Sequence, residues 1–191
     1  HAHSWRIIRA CAVSSMAPSQ LVKVRRPAVT YQETAEGALE KDGEAKGLKF
    51  FVRIDTEPSS SNETSRAQEE RVFIHPSSAN FTIGSYNCPW LVYHSLVRTS
   101  KAFLRDVTEC SAYALLLFGG QLEVQAASGV ILVDGWAQLS ANARIGSLSG
   151  CLRKKVDEVL TKKVEDPGFE LANTQEMKLI VKLIRTDGLG T

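Results

Sequence analysis

The chain has 191 residues, 43% of them hydrophobic, which is enough for one sizeable core in one domain or one domain with an appendage. The formal charge of +2 conceals an asymmetry: Glu33 to Glu70 holds ten acids against five bases, and the remainder eighteen bases against eleven acids. Cys11, Cys88, Cys110 and Cys151 form no CxxC pair and so exclude a zinc ribbon or finger, and the longest apolar run, Ala112 to Phe118, is too short to span a bilayer.

In chain order, Ser4 to Met16 places Trp5, Ile8, Ala12 and Met16 at helical spacing, with Ser4 at the N-cap position and Pro18 just past the end. The chain opens on histidine, and these residues read as the end of a helix, so a segment of a longer protein is expected rather than a transit peptide. Leu21 to Val24 and Leu48 to Ile54 have strand character, while Tyr31 to Gly47 is acidic and lacks a clear period. Thr56 to Ala67 reads as a solvated loop by composition, suited to disorder or an insertion.

The densest strand signal follows. Arg71 to His75 is stopped by Pro76, and Trp90 to Arg98 and Lys101 to Val107 are joined by a tight turn at Thr99-Ser100. Ser111 to Phe118 predicts a short helix ended by Gly119-Gly120. Strands are expected at Leu122 to Val124, Val130 to Val133 and Trp136 to Leu139, with a hairpin turn at Ser128-Gly129. Leu148, Leu152, Val156 and Val159 recur at helical spacing up to Pro167, with Arg153, Lys154, Lys155, Lys162 and Lys163 on other faces. Asn173 and Glu176 have capping-box spacing and open a final helix that runs to Gly188. Short strands this close together predict a mainly β chain, a sandwich or small barrel with flanking helices.

Catalytic motifs are absent from the sequence. There is no G-x-x-x-x-G-K-[ST] phosphate loop and no DEAH-type acidic run to hold a nucleoside triphosphate with magnesium. The serines of GSLSG (Gly146 to Gly150) miss the central position of a nucleophile elbow and fall where helix is expected. GGQ at Gly119 to Gln121 reads as a turn. His75 and His94 lack neighbours at metal-ligand spacing. The basic excess outside the acidic stretch makes an anionic partner the first functional hypothesis, with a merely solvated surface as the alternative.

WLVYHSLVRTSKAFLRDVT, Trp90 to Thr108, resembles the signature of the OB-fold domain near the C-terminus of DEAH/RHA-type (DExH-box) RNA helicases: Trp-x-x-Tyr-His, Leu-Val, Thr-Ser-Lys, Arg and Val-Thr. VFIHPSSANF (Val72 to Phe81) resembles the strand and loop before that signature. YALLLFGG (Tyr113 to Gly120) and VDGW (Val133 to Trp136) are similar to the branch containing RNA helicase A. ACAVSSMAPSQLVKV (Ala10 to Val24) resembles the last helix of a preceding helical bundle entering the OB strands.

The resemblance implies an OB-fold-like small barrel preceded by a short helix and followed by C-terminal helices. The implied division is residues 1–20 as the end of a helical-bundle domain, 21–140 as the OB domain with an acidic insert at about 33–70, and 141–191 as a helical extension. It further implies an accessory RNA-binding domain of an ATP-dependent helicase, non-catalytic by itself, with ATP and Mg belonging to the parent's motor and no cofactor here. The implied partners are single-stranded RNA, the parent motor domains and a ribonucleoprotein or ribosomal complex, with no membrane. The implied location is cytoplasmic, with the nucleus as the alternative. A protein-docking module is the competing function.

In such helicases the OB domain steadies the RNA strand with loop hydroxyls, amides and cations. In this sequence those groups are His75, Ser77, Ser78 and Asn80 on one loop, Arg98, Thr99, Ser100 and Lys101 on the other, and Arg105 beyond it. Each also has a plain structural reading. Ser77, Ser78 and Asn80 form turns after a proline, Thr99 and Ser100 make a hairpin, and Arg105 pairs with Asp106 or Glu109. Trp90 and Tyr93 fall on opposite strand faces, and Trp90, like Trp136, reads as core rather than as a base-stacking platform. The basic helix Arg153 to Lys163 could bind RNA, pair with the acidic loop or be solvated.

Overall fold

The computed structural model describes residues 4–26, 31–34, 37–40, 47–54 and 68–188. The whole of the predicted loop Thr56 to Ala67, and much of the acidic stretch around it, lies outside the described residues. The chain forms two compact units, Ser19–Glu109, and His1–Pro18 with Cys110–Thr191.

The first unit is a closed barrel. Its strands are β1 (Leu21–Arg25), β4 (Lys49–Ile54), β5 (Gln68–Ile74), β6 (Trp90–Arg98) and β7 (Ala102–Glu109), in the order β1-β4-β5-β7-β6, with β6 returning to β1. All pairs are antiparallel except β5 with β7, which is parallel. A five-stranded barrel of this kind, closed through its third and fifth members, is an OB-fold. A two-stranded hairpin, β2 (Tyr31–Thr34) with β3 (Gly37–Glu40), interrupts the connection from β1 to β4. The sequence showed no period there.

Alternation builds the core. Val22 and Val24, Phe50 and Val52, Val72 and Ile74, and Leu91, Leu104 and Val107 meet inside the barrel. Leu91 and Leu104 are wholly buried, so each contributes about 1.5–3 kcal/mol of burial. Strict alternation fails at one level. The inward series on β6 is Leu91, Tyr93, then Leu96; on β7 it is Ala102, Leu104, then Val107. Both strands skip a residue opposite each other, and Asp106 takes φ +52 to do so. A short polar residue tolerates that left-handed conformation better than most. In consequence Arg105 and Asp106 are both exposed.

Tyr86 is buried beside Phe50, edge to face at 6.3 Å, and its phenol oxygen has no hydrogen-bond partner among the described residues. Burial, with a smaller contribution from the Glu109 charge, pushes the phenol up to about 12 from its ordinary 10.0. Trp90 is 2% exposed and Trp136 is 8% exposed, so both are core and neither presents a face to a base.

The second unit holds α1 (Trp5–Met16), α2 (Ala112–Phe118), the antiparallel sheet β8 (Leu122–Gln125), β9 (Val130–Val133) and β10 (Ala137–Ser140), then α3 (Ala143–Glu165) and α4 (Gln175–Thr186). Ser111 caps α2 by accepting the Ala114 N–H at 3.1 Å, and Asn142 caps α3 by accepting the Ile145 N–H at 3.0 Å. Thr174 rather than Asn173 caps α4. Its Oγ1 accepts the Met177 N–H at 3.3 Å, while Asn173 belongs to the preceding 3-10 turn and donates to Glu170. The β9–β10 turn places Asp134 and Gly135 at φ +54 and +67, the geometry that favours an Asp-Gly pair. GSLSG lies within α3. A side chain at Gly146 would meet Val124 at 2.5 Å, so this glycine serves helix–sheet packing.

The basic residues of α3 do not form one open face. Arg153 turns inward and gathers the C-terminal carbonyls of α2. Its guanidinium donates to Leu115 O at 3.1 Å and Gly119 O at 2.9 Å, and also to Leu116 O and Gly120 O. A cation at a helix C-terminus meets both the orphan carbonyls and the helix dipole. Burial lowers its pKa, but an arginine stays charged. Lys163 donates to Phe169 O at 2.8 Å and to Pro167 O, and Lys155 pairs with Glu158 at 2.7 Å. None of the three roles read from the sequence fits Arg153.

Two outcomes follow from these contacts. Arg153→Met should cost about 2–4 kcal/mol, because it strands several carbonyls around an apolar tip; faster amide hydrogen exchange across α2 checks it. Tyr86 favours the folded barrel fully below pH 10, and that contribution is lost as pH rises through about 12. Tyr86→Phe should therefore match the parent within about 1 kcal/mol at pH 8 and gain on it between pH 10 and 12 in urea unfolding.

Candidate nucleic-acid interface

Two strands carry the same outward pattern. Arg71-Val72-Phe73-Ile74-His75 and Lys101-Ala102-Phe103-Leu104-Arg105 each read cation, apolar, Phe, apolar, then a second basic group. The parallel ladder sets them in register: Phe73 pairs with Phe103, Ile74 with Leu104, and the His75 N–H donates to Leu104 O at 3.0 Å. Valine, alanine, isoleucine and leucine enter the core, which leaves Arg71, Phe73, His75, Lys101, Phe103 and Arg105 on the outer face of one seam.

The seam has an aromatic floor and a cationic surface. The Phe73 and Phe103 rings lie 6.2 Å apart, and His75 meets Phe103 edge to face at 5.8 Å. Lys101 Nζ stands 4.8 Å, and the Arg71 guanidinium carbon 5.1 Å, from the centre of the Phe73 ring. Such a ring attracts a cation by about 0.5–1 kcal/mol at exposed sites, which narrows the positions the two long side chains sample. Arg105 Nη2 lies 3.5 Å from His75 Nε2. Among the described residues, no carboxylate lies within ion-pair distance of Arg71, Lys101 or Arg105.

Three other cations of the barrel are paired with carboxylates. Glu69 takes Lys23 at 3.0 Å and Arg25 through its other oxygen. Glu70 takes Arg98, and its hydrogen bond and charge push that guanidinium further above its ordinary value.

The structure places the residues singled out by sequence as follows. Lys101, Arg105 and His75 converge on the seam. Thr99, Ser100 and Lys101 form a three-residue turn, one longer than the expected tight turn, held by Thr99 N–H to Lys101 O at 2.9 Å; all three are exposed at one end of the seam. Arg98 is paired with Glu70. Ser77 serves the His75 ring, with its Oγ 2.7 Å from Nδ1. Ser78 Oγ accepts the Asn80 N–H at 3.4 Å, and Asn80 Nδ2 donates to Val107 O, so these two fold the loop and tie it to β7. Arg105 lies against His75, and Glu109 instead accepts the Cys88 N–H at 2.9 Å.

Sequence reasoning missed Arg71, Phe73 and Phe103. Their signal was present in the repeated pattern of the two strands. What makes them neighbours is a parallel pairing between strands separated by β6.

Residues 8–122 match the family described as oligonucleotide/oligosaccharide-binding (OB)-fold, and residues 129–186 match the family described as C-terminal domain in RNA helicases. A mouse protein named ATP-dependent RNA helicase DHX29 is 38% identical over 114 residues, covering 60% of this chain and 8% of that protein. A Mycosarcoma maydis protein named putative DEAH-box ATP-dependent helicase UM11114 is 28% identical over 203 residues, covering 96% of this chain and 12% of its own length. A bovine protein named ATP-dependent DNA/RNA helicase DHX36 is 43% identical over 98 residues, covering 50% of this chain and 10% of that protein. The chain thus spans about a tenth of the length of these relatives.

Phe73→Leu keeps an apolar side chain on β5 but removes the ring beneath two cations. It should cost less than about 2 kcal/mol of barrel stability. The ε-methylene protons of Lys101, shifted upfield by the ring in the parent, should return to ordinary values in the variant's NMR spectrum.

Proposed function

Because this chain belongs to the OB-fold family found with the C-terminal domain of DEAH-box RNA helicases, we propose that its barrel is an accessory RNA-binding domain, non-catalytic by itself, that grips a single strand along the β5–β7 seam. The observation that carries this reading is the set of three cations without carboxylate partners among the described residues, Arg71 and Lys101 over the Phe73 ring and Arg105 beside His75. Oligonucleotide binding by OB-folds uses the face of the second and third strands with the loops after the first and fourth, and the seam's β5 and the Thr99 to Lys101 turn belong to those parts. Flexible single-stranded RNA suits such a surface, since an exposed row of cations follows a bendable backbone without demanding duplex geometry.

Selectivity for base sequence is not part of this role. Cations address phosphates, which carry no sequence information. ATP binding with magnesium and strand separation would belong to motor domains elsewhere in a parent protein, and this segment would steady the strand against them. The competing reading, a docking module for the parent motor or a ribonucleoprotein, is favoured by α3, which leaves Leu148 57% and Val164 81% exposed.

The test is a fluorescence-anisotropy titration of labelled single-stranded RNA at several salt concentrations. Lys101→Glu with Arg105→Glu should lower affinity by at least tenfold and reduce the salt slope by about 0.7 for each lost cation. Thermal unfolding should stay close to the parent's, because both side chains are exposed. Unchanged RNA affinity in the double variant would remove the seam from the function. Saturable binding to a protein partner with no RNA affinity would turn the function to docking.

A further inference from the structure

The turn between β6 and β7 carries a serine with no structural task. Thr99, Ser100 and Lys101 are all exposed, and the turn is closed by Thr99 N–H to Lys101 O at 2.9 Å. Thr99 Oγ1 reaches the same carbonyl at 3.4 Å. Ser100, at the apex, makes no hydrogen bond among the described residues, whether through its N–H, its carbonyl or its hydroxyl. Other hydroxyls are engaged: Ser77 with His75, Ser78 with the Asn80 N–H, Ser111 and Thr174 in helix caps. An exposed apex with unbonded backbone can enter another protein's cleft at little cost to the sheet, because the Arg98–Ala102 pair beneath it keeps the strands in register.

Two cations flank the hydroxyl, Arg98 two residues before it and Lys101 one after, and they are held unequally. Arg98 pairs with Glu70 Oε1, and the other oxygen of that carboxylate is already buried without a partner. Moving Arg98 away would leave a half-buried carboxylate with no cation, a costly state. Lys101 Nζ rests on the face of Phe73, 4.8 Å from the ring centre, with no carboxylate partner among the described residues. A charge-assisted bond to a dianion is stronger than such a contact at an exposed site. A negative group on Ser100 Oγ would therefore take Lys101 and leave Arg98 on Glu70.

We infer that Ser100 is a phosphorylation site for a protein kinase that selects serine beside basic residues, and that its phosphate releases RNA by drawing Lys101 off Phe73. The Ser100 hydroxyl oxygen attacks the γ-phosphorus of ATP held by the kinase. That O–P bond forms as the bond to the β-phosphate oxygen breaks, ADP leaves, and the hydroxyl proton passes to the kinase's base. The product carries about two negative charges at neutral pH. It occupies Lys101 and repels the phosphates of a strand from the end of the seam. The release of RNA rests on the RNA-binding reading above; the modification and the movement of Lys101 do not.

Two readouts need no RNA. The folded chain is incubated with a basic-directed serine kinase and ATP, and tandem mass spectrometry places the phosphate. Phosphate on Ser100 is expected, with none on this turn in Ser100→Ala; an unmodified Ser100, or phosphate on Thr99 in its place, overturns the inference. In the chain produced with phosphoserine at position 100, the Lys101 ε-methylene protons should lose their upfield ring shift, while the Arg98 guanidinium signals keep their positions. A Lys101 still over the ring, or an Arg98 released from Glu70, overturns the assigned movement. Labelled oligouridylate should then bind the phosphorylated chain at least tenfold more weakly, with a salt slope lower by about 0.7 for the one cation withdrawn. Equal affinity of the two forms rejects the release. Absence of RNA binding by the unmodified chain rejects the RNA reading, and with it the release, while the kinase and NMR results still decide the site.

Discussion

The parallel pairing of β5 with β7 is the constraint on which the rest of the barrel depends. It is the one parallel contact in the sheet, and it closes the ring of strands. Parallel strands cannot be joined by a tight hairpin, so the chain must leave β5, cross, run up β6 and return down β7 before the two meet. That detour explains the long connection from His75 to Pro89. Its turns are folded by Ser78 and Asn80 and fastened to β7 through the Asn80 amide and Val107 O. The loop residues that look like ligand contacts in the sequence thus serve, in part, to make the closure possible.

The closure also decides the chemistry of the surface. In a parallel pair, residues of like position along the two strands come side by side. Two copies of a cation-Phe-basic pattern then stack into a stripe with rings beneath and charges above. Glu69 is paired with Lys23 and Arg25, and Glu70 with Arg98. The result is a local positive field on a chain whose overall charge is only +2. A charge distribution of this kind matters for an anionic partner more than the net value does.

The other unit shows how a charged helix can mislead. Arg153, Lys155 and Lys163 look alike in sequence, yet one caps α2, one pairs with Glu158 and one caps the turn after its own helix. A cation is drawn to whichever partial negative charge is nearest, and helix C-termini supply it as readily as a polyanion does. Arg153 could not have been assigned by spacing, because the carbonyls it binds lie more than thirty residues away in the chain.

The sequence by itself determined what local physics controls. Alternation gave the barrel strands, and Ser111 and Gly119 bounded α2. The Trp90 to Thr108 signature pointed to the OB-fold and its helicase relatives. Tertiary structure decided the rest, because the rest depends on partners distant in the chain. It made neighbours of Arg71 and Lys101, and of His75 and Arg105. It gave Arg98 to Glu70, and it moved the α4 cap from Asn173 to Thr174 by spending the asparagine in the turn before it. The break in alternation at Asp106 belongs here too: two strands shifting inward phase at the same level cost nothing in register, so no pattern in either strand alone could reveal it.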